Sequence, residues 1–156
     1  MKISVVVIGQ RLPPWADAAV NDYLERLPAD FKVELKELKA EPRSGSTETG
    51  RILAAEAARI RGAVPPGALT VALDERGRDW STAQLADQLG RWRDDAQAVA
   101  FVIGGADGLD ASLKQEARFT LRLSSMTLPH ALARVLLVEQ IYRAWTVLTR
   151  HPYHRA

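Results

Sequence analysis

The sequence predicts an α/β fold, an open and mostly parallel sheet of five or six strands with helices on both faces. Three observations carry this prediction. Short apolar runs rich in β-branched residues alternate along the chain with segments of helical periodicity, the connections between them are short, and 156 residues with 47% apolar content are enough to fill one sizeable core. No internal repeat and no linker divides residues 1–156, so a single domain is expected.

Ile3 to Ile8 (ISVVVI) is bounded by Gly9 and reads as a buried strand. Pro13-Pro14 opens a helix in which Trp15, Ala19, Tyr23 and Leu27 recur every four residues until Pro28 stops it. Phe31 to Leu38 alternates apolar residues with Lys and Glu, the pattern of an edge or near-edge strand with one wet face. Ala40 to Gly50 is turn-rich and reads as a mobile loop before a helix through Ile52, Ala55, Ala58 and Arg59. Val64-Pro65-Pro66-Gly67 breaks that helix, and Ala68 to Leu73 is a buried strand ending at Asp74-Glu75-Arg76-Gly77. Ser81-Thr82-Ala83-Gln84 has the form of a capping box for a helix carrying Leu85, Leu89 and Trp92. Ala98 to Ile103 is a further buried strand, ending in Gly104-Gly105-Ala106-Asp107-Gly108. A short helix over residues 111–117, a last strand over Phe119 to Leu123, and one long helix from Pro129 to Arg150 complete the chain before the tail His151 to Ala156.

The zero cysteine count excludes disulfides, thiolate metal sites and cysteine nucleophiles. The apolar run at the N-terminus is too short for a signal-peptide core, and no run approaches a membrane span, so a soluble cytosolic protein is expected. The net charge of +2 conceals an asymmetry: residues 1–115 carry 15 Lys or Arg against 17 Asp or Glu, and residues 116–156 carry six against two. The basic end reads either as a solvated face or as a surface that meets a polyanion. In the long helix, Glu139, Arg143, Thr146 and Arg150 share one polar stripe, while Leu132, Val135, Leu136, Val138, Ile141, Trp145 and Val147 spread over more than the roughly 100° needed to cover a sheet. Such a helix is either central in its own domain or part of a homodimer interface.

Ligands of open parallel sheets collect at the carboxyl ends of strands. Three segments lie there: Leu73 to Gly77, Ile103 to Gly108 and Leu123 to Leu128. The paired glycines either let backbone amides approach a ligand or simply make a tight turn. A dinucleotide fingerprint is absent after the first strand, a phosphoacceptor reading lacks the acidic cluster for its metal, and His151 and His154 have no evident third ligand, so no metal is expected. The tail sets two imidazoles, a phenol and a guanidinium beyond the basic helix; it is either a frayed terminus or a group set able to stack on a base, bind phosphate and move a proton.

Several blocks together resemble a known family over the full length: Leu73-Asp74-Glu75-Arg76-Gly77, Phe101 to Gly105, Leu123 to His130, Arg134 to Ala144, and Pro152-Tyr153-His154-Arg155, with Trp15 and Tyr23 to Arg26 near the start. The chain resembles the ribosomal large-subunit methyltransferase H family of the SPOUT class, which methylates N3 of a pseudouridine in 23S rRNA. The resemblance implies a trefoil knot in the C-terminal half, a homodimer, and S-adenosyl-L-methionine as cofactor. It implies cofactor contacts at Leu73, Gly104, Leu123, Ser124, Ser125, Met126, Thr127 and Leu128. His154, Tyr153 and Arg143 are the expected catalytic set, His154 as base or proton relay, and Arg143, Arg150 and Arg155 the expected RNA contacts. The acidic body argues that specificity comes from an assembled ribosomal surface. A methyl transfer to nitrogen needs no covalent enzyme adduct, which agrees with the absence of cysteine. A SPOUT enzyme for another RNA nucleotide and a noncatalytic RNA- or ribosome-binding module are the alternatives.

Overall fold

In the computed structural model, which describes residues 1–155 apart from Gln10, Ser44, Ser46 and Thr47, the first strand, β1 (Lys2–Ile8), is buried at every position after Lys2. A strand covered on both faces needs a nearly continuous apolar run, and ISVVVI supplies it with the small Ser4 as its one polar residue. β2 (Lys32–Leu38), preceded by a single 3-10 turn at Ala29–Phe31, alternates exposed and half-buried residues and lies at a sheet edge, as its pattern predicts. β3 is Leu69–Asp79, β4 is Val99–Ile103 and β5 is Phe119–Arg122. The five strands are all parallel in the order β2-β1-β4-β3-β5.

The helices are α1 (Pro14–Glu25), α2 (Thr49–Ala63), α3 (Thr82–Asp94), α4 (Ala111–Glu116) and α5 (His130–Leu148). One sheet face presents Ile3, Val5, Val7, Val99 and Phe101 to Leu85 and Leu89 of α3 and Leu137, Ile141 and Ala144 of α5. The other presents Val6, Ile8, Ala72 and Val102 to Ala57 and Ile60 of α2 and Leu113 of α4. Parallel neighbours need crossovers, and these crossovers place helices on both faces. The capping box of α3 forms as predicted: the Gln84 backbone N–H donates to Ser81 Oγ at 3.1 Å, and the Ser81 N–H donates to Gln84 Oε1 at 2.8 Å.

Four local expectations are corrected. α1 buries Ala16 and Val20, one position round from the predicted stripe, because it packs on α5 rather than on the sheet; Trp15 stays 55% exposed. α2 buries Glu56 beside Ala57, where periodicity picked out Ala55, Ala58 and Arg59. β3 does not end at Leu73: Leu73 and Arg78 both lie opposite Leu121, so Asp74 to Gly77 is a bulge inside a longer strand. Gly77 is required there, since a Cβ would fall 2.6 Å from the Leu121 carbonyl carbon. Finally, α5 stops at Leu148, Arg150 has φ +56°, and Thr146 is fully buried with its hydroxyl donating to the Arg143 carbonyl at 2.6 Å. The polar stripe read from the helical wheel is therefore graded: Thr146 is internal, Glu139 and Arg143 are partly buried and paired with each other, and Arg150 is exposed beyond the helix end. The central part of the loop over residues 40–50, Gln10 after β1, and the last tail residue Ala156 lie outside the described residues.

Candidate active site

The carboxyl ends of β3, β4 and β5 meet at the N-terminal turn of α5 and enclose two adjoining cavities, one of ≈ 530 Å³ and one of ≈ 140 Å³. Leu73 and Gly104 wall the larger; Leu123, Ser124 and Met126 wall the smaller; Leu73, Thr127 and Leu128 belong to both. Seven of the eight predicted cofactor residues thus share one site, although they lie up to 55 positions apart. Ser125 is in the same loop but exposed, and walls neither cavity. The loop is shaped by Ser124, whose Oγ accepts the Met126 N–H at 2.9 Å. Gly104 faces the returning turn so closely that a Cβ would sit 2.2 Å from the Gly108 carbonyl oxygen, and Gly108 has φ +81°. The turn's closure by itself accounts for both glycines.

The site's charge is mixed. Asp74 and Glu75 line both cavities. Arg122, in the smaller one, is held in a two-point ion pair by Asp79, at 2.5 and 2.7 Å. No basic side chain occurs from Leu123 to Leu128. A sulfonium ligand is cationic, and apolar walls with carboxylates nearby suit it. The site therefore fits S-adenosyl-L-methionine in size and in chemistry, with Leu73, Gly104 and the Leu123 to Leu128 loop as the residues that would hold it.

Beside the larger cavity sits a charge cluster that the sequence did not expose. Arg134 is fully buried. Its guanidinium donates to Glu37 Oε2 at 2.6 Å and to the Gly9 carbonyl at 3.0 Å, and lies 3.1 Å from His130 Nε2. A guanidinium has no acceptor, so His130 Nε2 must be the unprotonated nitrogen. Burial, then the Arg134 charge, push the His130 pKa below its ordinary value, against the opposing effect of the Gly104 backbone. The signal is a cation four residues beyond a histidine in the apolar first turns of the helix, but its partner is 97 positions away. Glu56 is likewise buried; its Oε2 accepts the Glu41 N–H at 3.1 Å, and its Oε1 has no hydrogen-bond partner among the described residues.

The tail residues form a second group. Arg143 Nε donates to Glu139 Oε1 at 2.7 Å, and the guanidinium stacks over the Tyr153 ring at 4.8 Å. The Tyr153 hydroxyl donates to Glu139 at 3.2 Å, and its ring meets Tyr142 edge-on at 4.7 Å. Burial first, then the Tyr23 hydroxyl and the Glu139 charge, push the Tyr153 pKa up, so the phenol keeps its proton. His154 is half-buried, and its Nδ1 has no hydrogen-bond partner among the described residues. Arg150 and Arg155 are exposed. Neither Tyr153 nor His154 walls the cavities. Arg143 lies ten residues along α5 from the cavity residue Ala133, ~15 Å at the rise of an α-helix. One chain thus builds the cavity and the tail group but does not join them.

Among the described residues, no three His, Asp or Glu cluster in a way that would hold a metal ion, and no helix is long and apolar enough to cross a membrane.

Residues 1–154 match the family described as "Predicted SPOUT methyltransferase". The chain is 54% identical to a protein of Bordetella pertussis and 53% identical to one of Burkholderia thailandensis, both named "Ribosomal RNA large subunit methyltransferase H", with 100% of each chain covered. Among solved structures, a probable methyltransferase of Bordetella pertussis superposes with a TM-score of 0.57 at 18% identity, over 91% of this chain and 95% of that one. A probable methylase family protein of Haemophilus influenzae gives 0.56 at 15%, over 99% and 70%. These two show likeness of fold alone. With the family match running from β1 into the tail, the chain belongs to the SPOUT methyltransferase family.

Proposed function

We propose that this protein transfers a methyl group from S-adenosyl-L-methionine to N3 of a pseudouridine in 23S rRNA, acting in the cytoplasm on assembled ribosomes as a homodimer of single-domain subunits with a C-terminal trefoil knot. The observation that carries this reading is the convergence of Leu73, Gly104 and the Leu123 to Leu128 loop on one cavity edged by Asp74 and Glu75. The full-length relatives named for ribosomal RNA methylation support the substrate class.

When bound, the cofactor supplies an electrophilic methyl group on a positively charged sulfur. The chain's own task is to hold the acceptor nitrogen in line and to take its imide proton. His154, whose buried Nδ1 has no hydrogen-bond partner among the described residues, is the base or relay. Tyr153 stays protonated and positions the base by stacking or by its hydroxyl. Arg143, engaged by Glu139 and stacked on Tyr153, holds the tail in place and stabilises developing negative charge, while Arg150 and Arg155 meet phosphates. Because the tail and the cavity of one chain lie apart, a second copy would bring its tail to the cavity. The apolar girth of α5 and the exposure of Trp15, Met126 and Leu132 are consistent with that pairing.

Mass spectrometry of 23S rRNA nucleosides from cells with and without the gene tests the reaction. The expected result is loss of one N-methylated pseudouridine in the deletion; a methyl lost from another nucleotide would replace the substrate. Calorimetry with S-adenosyl-L-methionine separates an enzyme from a noncatalytic module, which need not bind it.

A further inference from the structure

A third concavity of ≈ 390 Å³ opens where the β3 bulge meets the start of β5, and Arg76, Arg78 and Arg118 line it. All three are exposed, and none has an ion-pair partner among the described residues. This is unusual locally, because the neighbouring acids are already engaged. Asp74 faces Lys114 at 3.7 Å, Asp79 holds Arg122 at 2.5 Å and Glu116 holds Arg61 at 2.9 Å, which leaves Glu75. The arginines therefore concentrate uncompensated positive charge in one place, two of them, Arg76 and Arg78, drawn from the slightly acidic residues 1–115. Their arrangement is built: Gly77 lets the bulge press against the β5 backbone, and Arg118 lies 5.1 Å over the Phe119 ring. The cleft also adjoins the candidate active site, since Arg76 walls both it and the larger cavity.

We infer that the Arg76, Arg78 and Arg118 cleft binds the phosphodiester backbone of the substrate RNA and holds the strand at the rim of the cofactor cavity. The inference rests on the RNA-methylating reading above. Guanidinium forks match phosphate oxygens in two-point geometry, and three in one cleft hold a strand rather than a lone anion. The site reads no base; it positions, and sequence selection falls to groups nearer the acceptor.

The test measures the affinity of purified bacterial ribosomes for the full-length protein across a salt series, with methyl transfer followed in the same samples. Arg78→Gln combined with Arg118→Gln removes two cations that wall the cleft but neither cavity. Ribosome affinity is expected to fall about tenfold, and the salt slope to fall by about 1.4 to 1.8, the value for two lost phosphate contacts. Calorimetric affinity for S-adenosyl-L-methionine should stay at the wild-type value. Arg78→Lys with Arg118→Lys keeps the charge and should restore the slope. A Gln pair with wild-type affinity and slope overturns the inference, as does a Lys pair as impaired as the Gln pair. Wild-type protein that binds ribosomes through the cleft yet methylates nothing overturns the proposed reaction and leaves the cleft supported.

Discussion

Replacing Arg134 by Met keeps most of the side-chain volume and removes one buried guanidinium. Three groups lose their donor: the Glu37 carboxylate, the Gly9 carbonyl and His130 Nε2. Breaking a buried pair by deleting one partner costs ~3–5 kcal/mol, but the Glu37 side chain is 35% exposed and recovers water, which moves its share to the low end. The Gly9 carbonyl and the half-buried His130 each add a desolvation penalty of about 1 kcal/mol. The methionine regains some apolar burial, and a net loss of about 3 kcal/mol follows, or about 6–12 °C in Tm for a domain of this size. Denaturant unfolding at fixed protein concentration measures it, with the Glu37→Gln and double variants closing a thermodynamic cycle. A loss under 1 kcal/mol, or a cycle with no coupling, would refute the view that Arg134 ties β1, β2 and α5 together beneath the cavity.

Because His130 has a lowered folded-state pKa, the unfolded chain binds its proton first as pH falls; stability should therefore decline on acidification through the ordinary histidine range. His130→Gln should flatten that decline in pH-dependent melting. Gly104→Ala places a methyl against the Gly108 carbonyl and should cost at least tenfold in calorimetric affinity for S-adenosyl-L-methionine, while far-ultraviolet dichroism stays native. Truncation of residues 152–156 should leave that affinity nearly intact and abolish methylation; unchanged turnover would remove the tail from the mechanism. Ser81→Ala breaks the capping box and should lower unfolding free energy by about 1 kcal/mol, without touching cofactor binding.

The elements most legible in the sequence are those whose signals are local. β4 is apolar throughout, and β1 is apolar after Lys2 except for Ser4, because both their faces are covered, and the Ser81 to Gln84 box announces α3 through atoms three residues apart. Hydrophilic character misled at Asp74 to Gly77, where Asp74 and Glu75 wall the cavities from a bulge in a strand that continues past them. Polarity is equally uninformative at Thr146 and Arg134, buried in α5 because the Arg143 carbonyl satisfies the one and Glu37 the other. Glu56 is a third case, its carboxylate accepting from a backbone amide that local pattern cannot reveal. Of the basic excess after residue 115, Arg122, Arg134 and Arg143 turn out to be engaged by Asp79, Glu37 and Glu139. Of the cations left exposed, Arg118 joins two arginines from the acidic part of the chain.

From the sequence alone came an α/β chain of parallel strands, the strand-end loops that carry the candidate site, and the tail with its imidazoles, since each depends on residue types within a few positions. The strand order β2-β1-β4-β3-β5, the shared cavity, the separation of that cavity from the tail, and the arginine cleft were decided by tertiary structure. They depend on pairings between residues tens of positions apart. Such pairings form only where side-chain volume, backbone register and charge agree across the packed sheet, and no local period encodes them.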